Sequence, residues 1–378
     1  MARKCVERCI AYDDQRQCYY VTLDSGKDMD GTRQRRWVTC PNLAQARRAL
    51  HGFEAKRSAG RRVKPSKLTL GQWLEHWMKE VVVPNRAFTT IYGYRGMIEN
   101  DIRPMLGSVP LQELTPGEIQ RYYTHLREDR GLAPYTIRHF HDLLGNALRL
   151  AVKQDLLLRS PMEWVEPPHV PPREAKFYGA EELSALYRAV AGTWLETVVK
   201  LAGSLGLRRE EICGLRWEHV DFQTRRIHIC EARTAAGAQV MQKETKNRSS
   251  TRTLYMTDEI REVLLREKER QRELYAFRRE KPCGFVTVNA QGRPHSPNVV
   301  SMAFKRFLAS AGLPHITLHG LRHTFATLAS AQGVPLFDIG KAMGHSTPST
   351  TGKIYTHLQD QTHGPTLAKV EEALRGRE

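Results

Sequence analysis

The second half of the chain carries side chains that can hold a phosphate and move protons around it. In SLGLRREEICGLRW (204–217), Arg208 opens an amphipathic helix with Glu211 three residues on, close enough for the carboxylate to hold the guanidinium. A guanidinium held in this way offers phosphate oxygens a planar pair of donors. Lys246 falls in a strand-turn-strand pattern, QKETKNRSSTRTLYM (242–256). A lysine at the tip of such a hairpin can enter a DNA groove and protonate a departing oxygen. In LHGLRHT (318–324), His319 and Arg322 are spaced to share one helix face and reach the same phosphate. Gly344 and His345 read as a helix end or turn, and Tyr355 lies ten residues beyond that histidine.

Taken singly, each piece also fits an ordinary role: a solvated Arg–Glu pair, a basic hairpin, a turn-closing histidine, a core aromatic. Zinc is a rival use for His319 and His323, which stand at i and i+4. A zinc-protease helix needs glutamate directly after the first histidine. Gly320 occupies that place, and Arg322 would set a cation beside the metal, so no metal site is expected.

The elements that must position these groups begin near residue 175 and are mainly helical, interrupted by strands near 225–256. Upstream, SPMEWVEPPHVPP (160–172) holds five prolines and reads as an extended connector. Before it, residues 68–160 read as all-helical. Thr69 can cap a helix with Leu70, Trp73, Leu74, Trp77 and Met78 on one face, and further helices are expected at roughly 88–103, 115–130 and 134–154. TPGE at Thr115–Glu118 is a capping-box start with proline at the first helical position. Residues 1–64 read as a small unit of three strands (Ile10–Tyr12, Cys18–Leu23, Arg36–Thr39) and one helix capped by Asn42, with a basic linker after it.

Charge points to the partner. The 378 residues carry 58 Lys+Arg against 41 Asp+Glu, a formal +17, and residues 1–67 alone hold 16 basic against 7 acidic side chains. A balance this basic, and this uneven, is the footprint of a phosphate-contacting module. No apolar run reaches membrane-spanning length and MARKCVERCIAYDD lacks a signal-peptide core, so a cytoplasmic, nucleoid-associated protein is expected. Seven cysteines, an odd number, argue against a disulfide framework; Cys5, Cys9, Cys18 and Cys40 match no paired zinc-knuckle spacing and read as free thiols.

In order and spacing these pieces resemble the signature of the tyrosine recombinase (phage integrase) family: Arg in G-L-R-x-x-E, a hairpin Lys, H-x-x-R, G-H, and a Tyr about ten residues later. The matching residues are Arg208, Lys246, His319, Arg322, His345 and Tyr355, with Glu211 as the acidic support, and the words LHGLRHTFAT and GHSTPSTTGKIYTHL agree as well. The resemblance covers roughly 175–360. More weakly, 68–160 is similar to the family's core-site-binding domain, and 1–64 to the arm-type DNA-binding domain of some phage and transposon integrases. The implied fold is multidomain and mainly α with small β-sheets: a β-sheet-plus-helix N-terminal domain (1–64), an all-helical core-binding domain (68–160) and an α+β catalytic domain (175–378).

The resemblance implies that Tyr355 attacks a DNA phosphate to give a 3′-phosphotyrosyl link and a free 5′-hydroxyl. Arg208 and Arg322 would hold the non-bridging oxygens and Lys246 would protonate the 5′-oxygen. His319 would assist proton removal from Tyr355, and His345 would hydrogen-bond the phosphate. No ATP, metal or other cofactor is implied, because the covalent link conserves the phosphodiester energy. Implied partners are double-stranded attachment sites of core and arm type, three further copies in a DNA-bound tetramer, and an excisionase or host DNA-bending protein. Lys243 and Arg248 compete with Lys246 for the lysine's place, and Arg209 adjoins Arg208. A dimer-resolving recombinase, a type IB topoisomerase and a non-catalytic DNA-binding protein are the other readings. The extra basic unit at 1–64 argues against the first two, and the filled catalytic positions against the third.

Overall fold

Period-two alternation organises the first sheet. The computed structural model describes residues 4–27, 33–59, 66–171, 176–244 and 251–344. Strands β1 (Lys4–Glu7), β2 (Ile10–Asp13), β3 (Cys18–Lys27) and β4 (Arg33–Cys40) form an antiparallel sheet in chain order. The register Val21↔Val38 and Thr22↔Trp37 turns Val21, Leu23, Val38 and Cys40 toward helix α1 (Leu43–Ala59), which packs on them through Ala46, Leu50 and Phe53. Asn42 caps α1 as expected, its Oδ1 accepting the Gln45 N–H at 2.9 Å. The sheet has one more strand than the sequence suggests. β1 is an edge strand, mostly exposed, and so carries no apolar alternation by which to read it. β3 runs past the expected end at Leu23 to Lys27, and β4 begins at Arg33, ahead of the expected Arg36.

The helical block comprises α2 (Leu70–Trp77), α3 (Val83–Asn85), α4 (Phe88–Met97), α5 (Arg103–Leu106), α6 (Pro116–Glu128) and α7 (Pro134–Lys153). Both expected N-caps are present: Thr69 with Gln72, and Thr115 with Glu118, are reciprocal capping boxes. Single π-turns at Met78–Val82 and Ile98–Ile102 join α2 to α3 and α4 to α5. Each lies just ahead of a proline, Pro84 or Pro104, whose missing N–H and bulky ring disturb the regular helix ladder. The apolar faces close on a core that includes Trp73, Phe140, Leu143 and Leu144, with the Trp73 indole N–H donating to Ala147 O at 3.1 Å. The helical core also reaches past 160: Pro161 and Val165 are buried in a short 3₁₀ turn, so the first half of the proline-rich stretch is packed and is not an extended connector.

The chain divides into two compact units, 1–171 and 172–378, with the division inside that stretch. The second unit comprises α8 (Ala180–Val190), α9 (Leu195–Leu205), α10 (Arg209–Gly214), strands β5 (Val220–Asp221), β6 (Arg226–Ile229), β7 (Glu231–Ala236), β8 (Gln239–Glu244) and β9 (Arg252–Tyr255), then α11 (Asp258–Arg278), α12 (Pro297–Ser310), α13 (Leu318–Ala331) and α14 (Leu336–Met343). Its core, with Leu186, Val198, Leu207, Ile227, Leu264, Phe304 and Leu321, binds helices and sheet into one body. Among the described residues no helix is long and apolar enough to cross a membrane.

Candidate active site

Helix α9 ends at Gly206, in the left-handed region (φ 63°), where a Cβ would lie 2.6 Å from the Phe325 ring. Leu207 then drops into the core and Arg208 stands extended as the N-cap of α10. Being outside the helix, its backbone N–H is free to donate to Glu211 Oε2 (2.9 Å) while its Nη1 donates to Glu211 Oε1 (2.7 Å). The Arg208–Glu211 clasp expected from the sequence is therefore formed, with Arg208 about a third exposed and Glu211 buried. Arg209 has other partners: it donates to Ser301 Oγ at 2.8 Å and to Glu210 Oε1 at 3.0 Å.

A second arginine shares the same carboxylate. Arg252, the first residue of β9, donates from Nη1 to Glu211 Oε1 (3.1 Å) and from Nη2 to Oε2 (2.9 Å). Burial would raise the Glu211 pKa. The Arg252 hydrogen bonds and charge, with the Arg208 N–H and charge, outweigh it and hold the carboxyl below its ordinary value.

Arg322, on α13, is only 1% exposed. A buried guanidinium is costly unless its donors are met. Arg322 Nη1 donates to Gly206 O at 2.5 Å and Nη2 to Met343 O at 2.7 Å. Arg252 Nε donates to Ala342 O at 2.6 Å, and Arg208 Nη2 to Gly344 O at 2.8 Å. Three arginines from three elements thus meet three successive carbonyls at the C-terminal end of α14. These carbonyls lack partners within the helix and sit at its negative pole. Gly344 ends α14 in the left-handed region (φ 70°), in keeping with the helix end expected there.

His319 shares α13 with Arg322, but their surroundings differ: Arg322 is buried and His319 is exposed. Partial desolvation of the His319 ring, then the Arg322 charge, lowers its pKa against an opposing pull from Glu210. His323 meets it edge to face, ring centroids 4.6 Å apart, and is pushed down to about 4, by burial first and then by His319 and Arg322. Both shifts favour the neutral ring, the state in which a histidine can accept a proton.

Lys246, His345 and Tyr355 lie outside the described residues. The strands that flank Lys246 correct the hairpin expected over 242–256. β8 pairs with β7, and β9 pairs with β6 in another sheet, so β8 and β9 are not partners. Both are nonetheless tied to the arginine cluster's own elements, β8 through Gln242 Nε2 to Gly214 O (3.3 Å) and β9 through Arg252. Lys243 is a strand residue of β8, opposite Ala232.

Sequence reasoning missed Arg252 as a member of the cluster. Its neighbourhood to Lys246 was the available signal, but its contact with Glu211 spans 41 positions. The accepting carbonyls carry no sequence signal at all. Among the described residues no three His, Cys, Asp or Glu side chains are grouped to hold a metal ion, and the seven cysteines are free thiols.

Residues 176–362 match the phage integrase family, and residues 69–127 match the phage integrase N-terminal SAM-like domain. A tyrosine recombinase XerC-like protein of Caldanaerobacter subterraneus subsp. tengcongensis is 26% identical over 366 residues, covering 91% of this chain and 93% of the relative. An integrase of Streptomyces ambofaciens is 26% identical over 359 residues, covering 92% and 91%. Among solved structures, the Tn1549 transposon integrase in complex with transposon right end DNA superposes with a TM-score of 0.66 at 22% identity, covering 76% of this chain and 94% of that one. A lambda integrase dimer bound to a COC′ core site gives a TM-score of 0.59 at 18% identity, covering 94% and 96%. At those identities the structural likeness is one of fold.

Proposed function

Since this chain belongs to the phage integrase family of tyrosine recombinases, we propose that it is a site-specific DNA recombinase that integrates and excises a mobile element. Tyr355 attacks the scissile phosphorus; the Tyr O–P bond forms and the P–O5′ bond breaks. The phenol proton leaves through His319, and Lys246 supplies a proton to the 5′-oxygen. Arg208 and Arg322 stabilise the charge of the pentacoordinate phosphorus, and His345 donates a hydrogen bond to it. The reverse attack by a 5′-hydroxyl of another strand rejoins the DNA, and two such exchanges pass through a Holliday junction. No step calls for a metal or a nucleotide cofactor.

The observation that carries this reading is the convergence of Arg208, Arg252 and Arg322 on the carbonyls of 342–344, the residues directly before His345 in the chain. A phosphate-binding pair of guanidiniums is thereby tied to the segment that leads to the nucleophile. Two of the five side-chain N–H groups of Arg208 are engaged in these anchors, which orient the fork without exhausting it.

Residues 68–160 bind the core site, and the 1–64 unit binds distal arm sites. The sheet face opposite α1 suits the second task, because it carries Trp37, 62% exposed, beside the exposed Arg35. Exchange between two duplexes needs four active sites, hence a tetramer on DNA, with an excisionase or host DNA-bending protein setting direction. The protein acts in the cytoplasm, on the nucleoid.

A duplex nicked beside the cleavage position tests the chemistry. It should trap the protein covalently in the presence of EDTA, whereas Tyr355→Phe should not be trapped. Trapping that survives this substitution removes Tyr355 as nucleophile, and loss on chelation points to a metal-dependent enzyme. Deleting 1–64 should abolish binding to arm-site DNA and spare short core sites; unchanged arm-site binding refutes the arm role.

A further inference from the structure

We propose that Arg252 is a positioning residue of this site, which takes up the negative charge of Glu211 so that Arg208 stays an effective cation toward the phosphate. The inference rests on the recombinase reading above and adds a residue to it.

The geometry behind it is a shared carboxylate. Glu211 Oε1 accepts from Nη1 of both Arg208 and Arg252, and Oε2 accepts from the Arg208 backbone N–H and from Arg252 Nη2. The Arg252 pair is the bidentate one, so it fixes the plane of the carboxylate, and that plane fixes the Arg208 head. Arg252 and Glu211 side chains are 7% and 3% exposed, whereas Arg208 is 32% exposed. Arg252 therefore spends its donors inside the protein, and Arg208 is the member of the trio that meets solvent.

Charge gives the arrangement its consequence. A buried carboxylate paired with Arg208 alone would cancel the very charge that a phosphate needs. With Arg252 present, two guanidiniums share one carboxylate and a net positive charge remains on the pair. Arg322 adds a second cation, so the cluster matches the charge that builds on phosphorus as it becomes pentacoordinate. Through Nε, Arg252 also holds Ala342 O, so one side chain sets both the Arg208 guanidinium and the α14 end that precedes His345. Stability alone does not explain such a design, because apolar residues of similar volume often replace a buried ion pair without loss.

The test is the single-turnover cleavage rate of the full-length protein on a nicked duplex at saturating concentration, well below the unfolding midpoint, with duplex affinity measured in parallel. Arg252→Met should slow cleavage by about 10²-fold while duplex affinity stays within about twofold, the signature of a group that supports the transition state rather than the bound ground state. Arg252→Lys, which keeps the charge but loses the fork, should lose about tenfold or less. Arg252→Met combined with Glu211→Gln should recover a large part of the rate lost by Arg252→Met, since the uncompensated carboxylate is gone. Should Arg252→Met not fold, Arg252→Gln replaces it in both comparisons.

Cleavage by the neutral variant at the wild-type rate overturns the assignment. So does a double variant whose loss is the sum or more of the single losses, or a loss of duplex affinity that accounts for the slower cleavage. A wild-type protein that cleaves no duplex overturns the recombinase reading and this inference with it. Wild-type cleavage alongside a full-rate Arg252→Met removes the inference alone.

Discussion

The arginines of the N-terminal sheet and those clustered around Glu211 use the same chemistry to different ends. Arg47 pairs with Glu7, and Arg35 with Asp24, at the surface, where both arginines remain about half exposed. Arg252 and Arg322 are buried, and with Arg208 they bind one carboxylate and a row of carbonyls. In water the Coulomb gain of a pair is small and is spent on ordering long side chains. In the interior the same pair cannot be broken cheaply, because what is left behind is an unsolvated charge or carbonyl. Burial thus separates arginines whose surface pairs exchange easily with solvent from arginines whose guanidiniums the fold holds in one place.

Breaking the buried side of this contrast should cost most at Arg322. Arg322→Ala leaves Gly206 O and Met343 O without their donors, and it should reduce nicked-duplex cleavage by more than about 10³-fold. Calorimetry should also show it about 3 kcal/mol less stable, as expected when one side of a buried charged network is removed. A variant that unfolds at the wild-type midpoint would show that the anchors are not structural.

Glu211→Gln comes next, at about 2–3 kcal/mol in denaturant unfolding. It also carries a pH signature. The folded pKa of Glu211 lies below its ordinary 4.5, so the carboxylate's contribution is complete above that value and is lost as pH falls through the depressed one. The wild-type acid limb should therefore be steeper than that of Glu211→Gln, and parallel limbs would contradict the ionised, paired state.

His295 provides a smaller probe of the same interior. It stacks on Trp194 at 4.2 Å, its Nε2 is buried without a hydrogen-bond partner, and burial pushes its pKa down to about 4. Between the unfolded value of 6.5 and about 4 the unfolded chain takes up a proton that the fold refuses, so stability falls as pH drops through that window. His295→Phe should flatten the loss when unfolding midpoints are compared at pH 7 and pH 5.

The smallest stability effect is expected on the exposed side. Arg35→Ala should leave the unfolding midpoint of the protein unchanged, yet lower the slope of log affinity against log salt for arm-site DNA by about one. A fall in midpoint comparable to that of Glu211→Gln would erase the distinction between the two regions.

Much of the fold was legible because the signals are local. The caps at Asn42, Thr69 and Thr115 require only a side chain and the next three residues, and all three are formed. The edge strand β1 escaped because a mostly exposed strand has no apolar alternation to betray it. The Lys246 segment read as a hairpin because two strand-like runs flank turn-like residues. Local pattern cannot tell whether two such runs pair with each other or with partners elsewhere, and here β8 and β9 take different partners.

By itself the sequence determined the residue types and spacings from which Arg208, Glu211, Lys246, His319, Arg322, His345 and Tyr355 are proposed as a phosphoryl-transfer set, together with the basic, helical framework around them. These follow from covalent order and helical period, which a string of residues states directly. Only the tertiary structure decided that Arg252 shares the Glu211 carboxylate with Arg208, that Arg322 is buried while His319 is exposed, and that three arginines close on the end of α14. Those are matters of burial and of backbone carbonyls brought together across up to 136 positions, and a carbonyl is the same in every residue until the fold chooses which ones to leave unpaired.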